Sequence, residues 1–91
     1  MGVIERYKII VTGKVQGVWF RDSARKMALQ LGLTGFARNE PDGSVYIEAE
    51  GSSQALLLFL DWCRQGPREA KVSNIFHTAH EPAGHQNFEI M

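Results

Sequence analysis

Two kinds of apolar pattern alternate along this chain, and their order constrains the fold more than any other feature of the sequence. Runs of β-branched residues and strict apolar–polar alternation indicate strands, while apolar residues at i, i+3, i+4 and i+7 indicate helices. The predicted strands are Tyr7–Thr12, Gly35–Asn39, Val45–Glu50, Val72–Ala79 and Phe88–Ile90, and the helical stripes are Ala24, Met27, Ala28 and Leu31, then Leu56, Phe59, Leu60 and Cys63.

The order of these elements is strand, helix, strand, strand, helix, strand, followed by the short segment at Phe88–Ile90. Two strand–helix–strand units of this kind close naturally when both crossovers are right-handed. We therefore predict an α+β fold, the ferredoxin-like split βαβ sandwich with the order βαββαβ. Its sheet is expected to be antiparallel, with four to five strands and both helices on one face.

Local signals predict where the elements end. One residue of Asp22-Ser23 is expected to cap the first helix, and one hydroxyl of Ser52-Ser53 the second. Pro41-Asp42-Gly43 predicts a tight turn, because glycine accepts the positive φ that such turns need. The alternation in Val45–Glu50 predicts that its even-numbered residues, Glu50 included, face water.

Length and composition exclude several classes of protein. The chain of 91 residues predicts a single domain spanning 1–91. Its one cysteine cannot form an internal disulfide, which favours a reducing compartment, and we expect a cytoplasmic monomer. No apolar run approaches the roughly 20 residues of a membrane helix. The first residues, Met1–Arg6, lack the apolar core of a signal peptide, so no membrane partner is expected.

Charge is balanced overall but unevenly distributed. Residues 1–26 carry six basic and two acidic side chains, whereas the remainder carries four basic and eight acidic ones. This excess is too small to follow a nucleic-acid backbone, so no nucleic-acid partner is expected. It suits one small anion near the start of the chain.

The stretch Gly13–Arg21 lies between the first predicted strand and the first predicted helix. Such a junction directs unpaired amide groups and the positive end of a helix toward one point, and glycines let the loop curl around an anion. The stretch lacks both the Gly-Lys-Ser/Thr ending of a Walker A loop and the Gly-x-Gly-x-x-Gly of dinucleotide folds. Glycine spacing alone leaves a phosphate loop and an ordinary glycine-rich turn both open.

The complete string is more specific. Gly-x-Val-Gln-Gly-Val-x-Phe-Arg at 13–21 resembles the signature of the acylphosphatase family. Gly35–Asn39 followed by Pro41–Val45 resembles the second motif of that family, and the resemblance covers nearly the whole chain. It implies an acylphosphatase, a hydrolase acting on acid anhydrides. Such an enzyme cleaves the carboxyl–phosphate bond of acyl phosphates to a carboxylate and inorganic phosphate, by metal-independent attack of water on phosphorus.

The resemblance also implies which residues act. Arg21 corresponds to the phosphate-binding arginine and Asn39 to the asparagine that orients the attacking water. The partner is a small-molecule acyl phosphate, and neither a cofactor nor a metal is expected, since no Asp, Glu or His cluster has metal-ligand spacing. The phosphate cradle is implied to consist of the backbone amides of Val15, Gln16, Gly17, Val18, Trp19 and Phe20.

Two positions depart from the family pattern. Trp19 stands where similar bacterial sequences often have glycine, and Phe88–Met91 stands where many members have Arg or Tyr near the terminus. Two other functions stay open, because one fold serves many functions. One is a binding module for RNA or a small anion, and the acidic Glu48 and Glu50 on the outer sheet face weigh against RNA. The other is a carbamoyl-phosphate-handling relative of the domains that begin larger hydrogenase-maturation proteins.

Overall fold

A computed structural model describes residues 3–91 and contains one five-stranded sheet and two helices. The sheet order is β4-β1-β3-β2-β5, so the predicted fifth strand is present at one edge. Each strand predicted from the sequence is found, most of them with a few further residues. The elements in chain order are β1 (Ile4–Lys14), α1 (Phe20–Gln30), β2 (Thr34–Asn39), β3 (Val45–Ser52), α2 (Ser53–Gln65), β4 (Lys71–His80) and β5 (Phe88–Ile90).

Four strands pair in antiparallel fashion and the fifth does not. β1 lies between β3 and β4, and β2 pairs with the other side of β3. β5 runs parallel to β2, with Ala37 opposite Ile90, so the sheet is mixed rather than antiparallel throughout. This parallel pair brings the last strand beside β2, which ends at Asn39.

The core lies between one face of the sheet and the two helices. Ile9 and Val11 of β1 and Ile47 of β3 are fully buried on that face. The predicted stripe of α2 is confirmed, since Leu56, Phe59, Leu60 and Cys63 are its buried residues. Burying each of these large apolar side chains contributes roughly 1.5–3 kcal/mol, so this face accounts for much of the stability.

The two helices begin differently. Ser52 caps α2 as expected, because its hydroxyl accepts a hydrogen bond from the Ala55 amide at 3.2 Å. The prediction that Asp22 or Ser23 caps α1 is wrong. That helix starts at Phe20, its N-cap is Trp19 in the left-handed conformation, and no side chain caps it. The loop geometry before α1 therefore overrides the ordinary preference for a polar cap.

The prediction that Glu50 faces water is also wrong. Glu50 is on the outer face of β3, but only 6% of its surface is exposed. Its carboxylate accepts hydrogen bonds from the amides of Ala83, Gly84 and His85, at 2.6 to 3.3 Å. The segment between β4 and β5 thus folds over this residue and is held to the sheet by it.

Glu48 lies beside Glu50 on the same outer face and is enclosed by three donors. Arg6 donates to it at 3.0 Å, Tyr46 at 2.7 Å, and the His85 ring contacts it at 3.1 Å. Burial acts to raise the pKa of Glu48, but the bonds from Tyr46, His85 and Arg6 prevail and lower it below the ordinary value. Burial, together with the bond to Glu48, raises the pKa of Tyr46 to about 12.

Two negative findings apply to residues 3–91. None of their helices is long and apolar enough to cross a membrane. They also contain no group of three or more His, Cys, Asp or Glu side chains placed to hold a metal ion.

Candidate active site

The loop between β1 and α1 lines a cavity of about 270 Å³ at the start of α1. Two residues of this loop have positive φ, Gly17 at 73° and Trp19 at 65°. Such values turn the chain back on itself, and for glycine they carry no steric cost. The residues that line the cavity are Val15, Gly17, Trp19, Phe20, Arg21, Asp22, Asn39 and Ile90.

The amides of this loop are free to bind a ligand. Among the residues described, none of the backbone N–H groups at positions 16 to 22 donates a hydrogen bond to another group of the protein. The first intrahelical bond of α1 runs from the Ser23 amide to the Trp19 carbonyl at 3.0 Å. These free donors and the positive end of the helix favour an anion in the cavity.

Arg21 lies in the first turn of α1 and lines the cavity. Its Nη1 donates to the main-chain oxygen of Met91 at 2.9 Å. One turn later, Arg25 Nε donates to the carbonyl of Phe88 at 3.1 Å. The departure from the family pattern in this last segment therefore does not remove support from the site, because the backbone of the segment supplies the contacts.

Phe20, the first residue of α1, fixes the start of the helix by packing into the core. Its side chain is 2% exposed, and its ring lies 5.3 Å from that of Trp62 on α2. Phe59 stacks on Trp62 at 6.0 Å between ring centroids and also meets Phe88 of β5 edge to face. Because Phe20 directly precedes Arg21, this aromatic cluster fixes the backbone from which the guanidinium extends.

Asn39 is the last residue of β2 and lines the same cavity. Its Oδ1 is buried and accepts no hydrogen bond from any residue between 3 and 91. A buried amide oxygen without a donor costs about 1–3 kcal/mol. Because most buried polar groups are paired, this unpaired oxygen makes Asn39 unusual beside the cavity.

Gln16 connects the loop to the turn that follows Asn39. Its Nε2 donates to the carbonyl of Glu40 at 2.8 Å and to that of Ser44 at 2.9 Å. Within this turn, Asp42 accepts bonds from the hydroxyl and the amide of Ser44, which lower the pKa of Asp42. The turn predicted at Pro41–Gly43 is confirmed, and Gln16 fixes its distance from the loop.

The structure brings most of the expected site residues together. Arg21 and Asn39 line one cavity although 18 positions separate them in the sequence. Two of the expected cradle residues do not line it: the side chain of Gln16 is bonded to the turn, and Val18 is in the core at 3% exposure. The cavity includes Asp22 and Ile90, which were not expected there from the sequence.

Different signals were available for these two additional residues. Asp22 directly follows Arg21 in the first helical turn, so the sequence already placed it next to the loop. Ile90 reaches the cavity only because β5 pairs in parallel with β2, and no local pattern announces such a pairing.

Comparison with known proteins gives one consistent result. The chain matches the acylphosphatase family over residues 7–90. An acylphosphatase from Thermus thermophilus is 47% identical over 85 residues, which are 93% of this chain and 97% of that protein. The crystal structure of acylphosphatase from Bacillus subtilis has a TM-score of 0.94 and 39% identity, and the match covers 96% of this chain and 98% of that one.

A similar domain also occurs within a much longer protein. Full-length HypF in its phosphate- and nucleotide-bound form has a TM-score of 0.93 and 26% identity to this chain. The match covers 100% of this chain and only 12% of the HypF chain. The similarity therefore concerns one small part of that protein.

Proposed function

The chain belongs to the acylphosphatase family and hydrolyses acyl phosphates, and we propose that Arg21, Asn39 and the loop of residues 15–20 carry out this reaction without a metal ion. The observation that carries the proposal is the composition of one cavity. Three kinds of group lie at this cavity. They are the guanidinium of Arg21, the side chain of Asn39 with its unpaired oxygen, and the loop whose amides have no partner. Each of these groups meets a separate need of the reaction.

The phosphoryl group binds in the loop. Its nonbridging oxygens accept hydrogen bonds from the loop amides between Val15 and Phe20, at the positive end of α1. Arg21 adds a permanent planar charge that grips two oxygens at once, which the point charge of a lysine does less well. The bond from Arg21 to Met91 uses Nη1 and leaves further guanidinium donors for the substrate.

Water attacks phosphorus under the control of Asn39. With its side chain turned to the cavity, Asn39 accepts a hydrogen bond from the water at Oδ1 and so fixes the direction in which a lone pair of the water oxygen faces phosphorus. Both protons of the water stay with the phosphate product, which leaves as H2PO4⁻. In doing so the water satisfies the acceptor that the protein itself leaves unpaired. As the P–O bond to the acyl group breaks, fixed amide dipoles and Arg21 hold the charge on the nonbridging oxygens.

The leaving group needs no help from an acid. A carboxylate leaves as the conjugate base of an acid with a pKa of about 4, so it requires no proton. An alkoxide from an alkyl phosphate monoester does require one, and no residue proposed here supplies it. We expect alkyl monoesters to be poor substrates, and equal turnover of an alkyl monoester and an acyl phosphate would contradict this mechanism.

We further propose that residues 1–91 form one domain that acts as a monomer in a reducing, cytoplasmic setting, without nucleic acid. The buried thiol of Cys63 supports the reducing compartment. The acidic Glu48 and Glu50 on the outer face of β3 support the exclusion of nucleic acid, and the Arg6 on that face is already paired with Glu48.

The test measures benzoyl phosphate hydrolysis in excess chelator. We expect turnover by the wild type and a loss of about 100- to 1000-fold in Arg21→Gln, comparable with removal of a principal donor at similar sites. Arg64→Gln is the matched control, because Arg64 is an exposed arginine on α2 that pairs with Asp61. In ¹⁸O-labelled water, attack on phosphorus predicts label in phosphate and none in benzoate. Label in benzoate, or full activity in Arg21→Gln, would refute the proposal.

A further inference from the structure

Trp19 combines two unusual properties at the edge of the cavity. Its side chain is 72% exposed, although tryptophan is among the most apolar side chains. Its φ of 65° makes it the only residue other than glycine with positive φ in the stretch 3–91. A left-handed conformation is unfavourable for a residue with a Cβ. Such an outlier persists where the surroundings determine it, and it points toward a functional role.

Ile90 reaches the same cavity from another element. It belongs to β5, it is 38% exposed, and it lines the cavity together with Trp19. The main-chain partner of Arg21, Met91, follows it directly, so the position of Ile90 relative to the guanidinium is fixed. Two exposed apolar side chains therefore border a cavity whose polar groups suit an anion.

Like the cavity, an acyl phosphate has a charged part and an apolar part. Its phosphoryl end is charged, and the carboxyl carbon attached to it carries an acyl chain that must leave the loop through the mouth of the cavity. We propose that Trp19 and Ile90 form a subsite for the acyl group, which favours acyl phosphates with an aromatic acyl chain over acetyl phosphate. The inference rests on the proposed function, because the phosphoryl end must occupy the loop for the acyl chain to reach these residues.

Physical chemistry supports an aromatic occupant. A ring stacked on an indole adds to ordinary apolar burial, and the indole presents its surface with few rotatable bonds to restrict. The indole already lines the cavity in the structure, and its few rotatable bonds mean that little freedom is lost on binding. An acetyl group is too small to cover either side chain and gains little from them.

The experiment compares kcat/KM for benzoyl phosphate and acetyl phosphate in four proteins. Trp19→Asn removes the indole, and asparagine tolerates the left-handed conformation, so the loop backbone is kept. Trp19→Phe retains an aromatic ring. Phe76→Ala is the matched control, because it removes an aromatic side chain that is 58% exposed on β4 and absent from the cavity.

We expect the ratio of benzoyl to acetyl kcat/KM to fall by about fivefold in Trp19→Asn and to stay near the wild-type value in Trp19→Phe and Phe76→Ala. Inhibition by inorganic phosphate should be unchanged in Trp19→Asn, which shows that the cradle is intact. A ratio that stays constant in Trp19→Asn, or a parallel change for both substrates and for phosphate, would overturn the inference while leaving the proposed function in place. Failure of the wild type to hydrolyse either substrate would refute both.

Discussion

Asn39 and Glu50 are polar residues of neighbouring strands, and the protein treats them in opposite ways. The Glu50 carboxylate is enclosed by three amides of the segment that folds over it. The Asn39 Oδ1 is buried and has no donor among residues 3–91. One polar group is satisfied by the chain, and the other has no partner among these residues.

The difference separates stability from function. A buried acceptor that is fully bonded stabilises the fold and needs nothing further, whereas an unpaired one lowers stability and creates a binding position. We therefore expect substitutions at the two residues to affect different measurements. Four predictions test this division, from the largest expected effect to the smallest.

Asn39→Ala should reduce kcat for benzoyl phosphate by about 100-fold, because the attacking water loses its orientation. The free energy of unfolding should stay the same or increase, since the variant removes a buried acceptor that has no partner. Stopped-flow kinetics and urea denaturation measure the two quantities. A stable variant with wild-type kcat would show that Asn39 does not direct the water.

Glu50→Ala should do the reverse. We expect it to lower the free energy of unfolding by about 2 kcal/mol, because the amides of Ala83, Gly84 and His85 lose a charged acceptor. The kcat of the folded protein should change little. Urea denaturation measures the loss, with Glu69→Ala as the control, since Glu69 is an exposed glutamate. A loss of kcat without a loss of stability would show that Glu50, like Asn39, acts in catalysis and not in stability.

Gln16→Leu should fall between these cases. The variant loses the two bonds to Glu40 and Ser44 that fix the turn after Asn39 relative to the loop. We expect kcat to decrease about tenfold, because the water and the phosphoryl group lose their alignment, while inhibition by phosphate changes much less. Equal losses in kcat and in phosphate binding would mean that Gln16 supports only the phosphate cradle and does not align Asn39 with it.

Glu48→Gln should have the smallest effect, and it concerns acid pH. The pKa of Glu48 is lowered in the folded protein below its ordinary value of 4.5. Its contribution to stability is therefore complete above that value and is lost as the pH falls through the folded pKa. Between pH 5.5 and 3.5 the wild type should lose more unfolding free energy than Glu48→Gln, by less than about 1 kcal/mol. Parallel pH profiles in urea denaturation would contradict this.

The sequence was sufficient for the features that local pattern controls. Alternation and helical periodicity predicted the strands and the buried stripe of α2, because each residue's face follows from its spacing. The resemblance named Arg21 and Asn39, and the fold brings both to one cavity. Their catalytic roles and that of the cradle remain predictions.

The features that escaped prediction depend on contacts between distant segments. Alternation predicted that Glu50 faces water, because a local pattern contains no information on the distant residues 83–85 that fold over Glu50. The contact from Arg21 to Met91 joins residues 70 positions apart, and the parallel pairing of β5 creates it. The left-handed Trp19 contradicts residue preference, since a residue with a large side chain rarely adopts that conformation, so no local pattern could predict it.

The thiol of Cys63 has a practical consequence. It is the single cysteine of the chain, it lies on the inward face of α2 without exposure, and burial raises its pKa. A thiol reagent can therefore attack it only when α2 separates from the sheet, since the reactive thiolate needs solvent. Where alkylation is slow compared with reclosing, its rate in plain buffer reports the fraction of molecules that are open, and it allows the variants to be ranked without any denaturant.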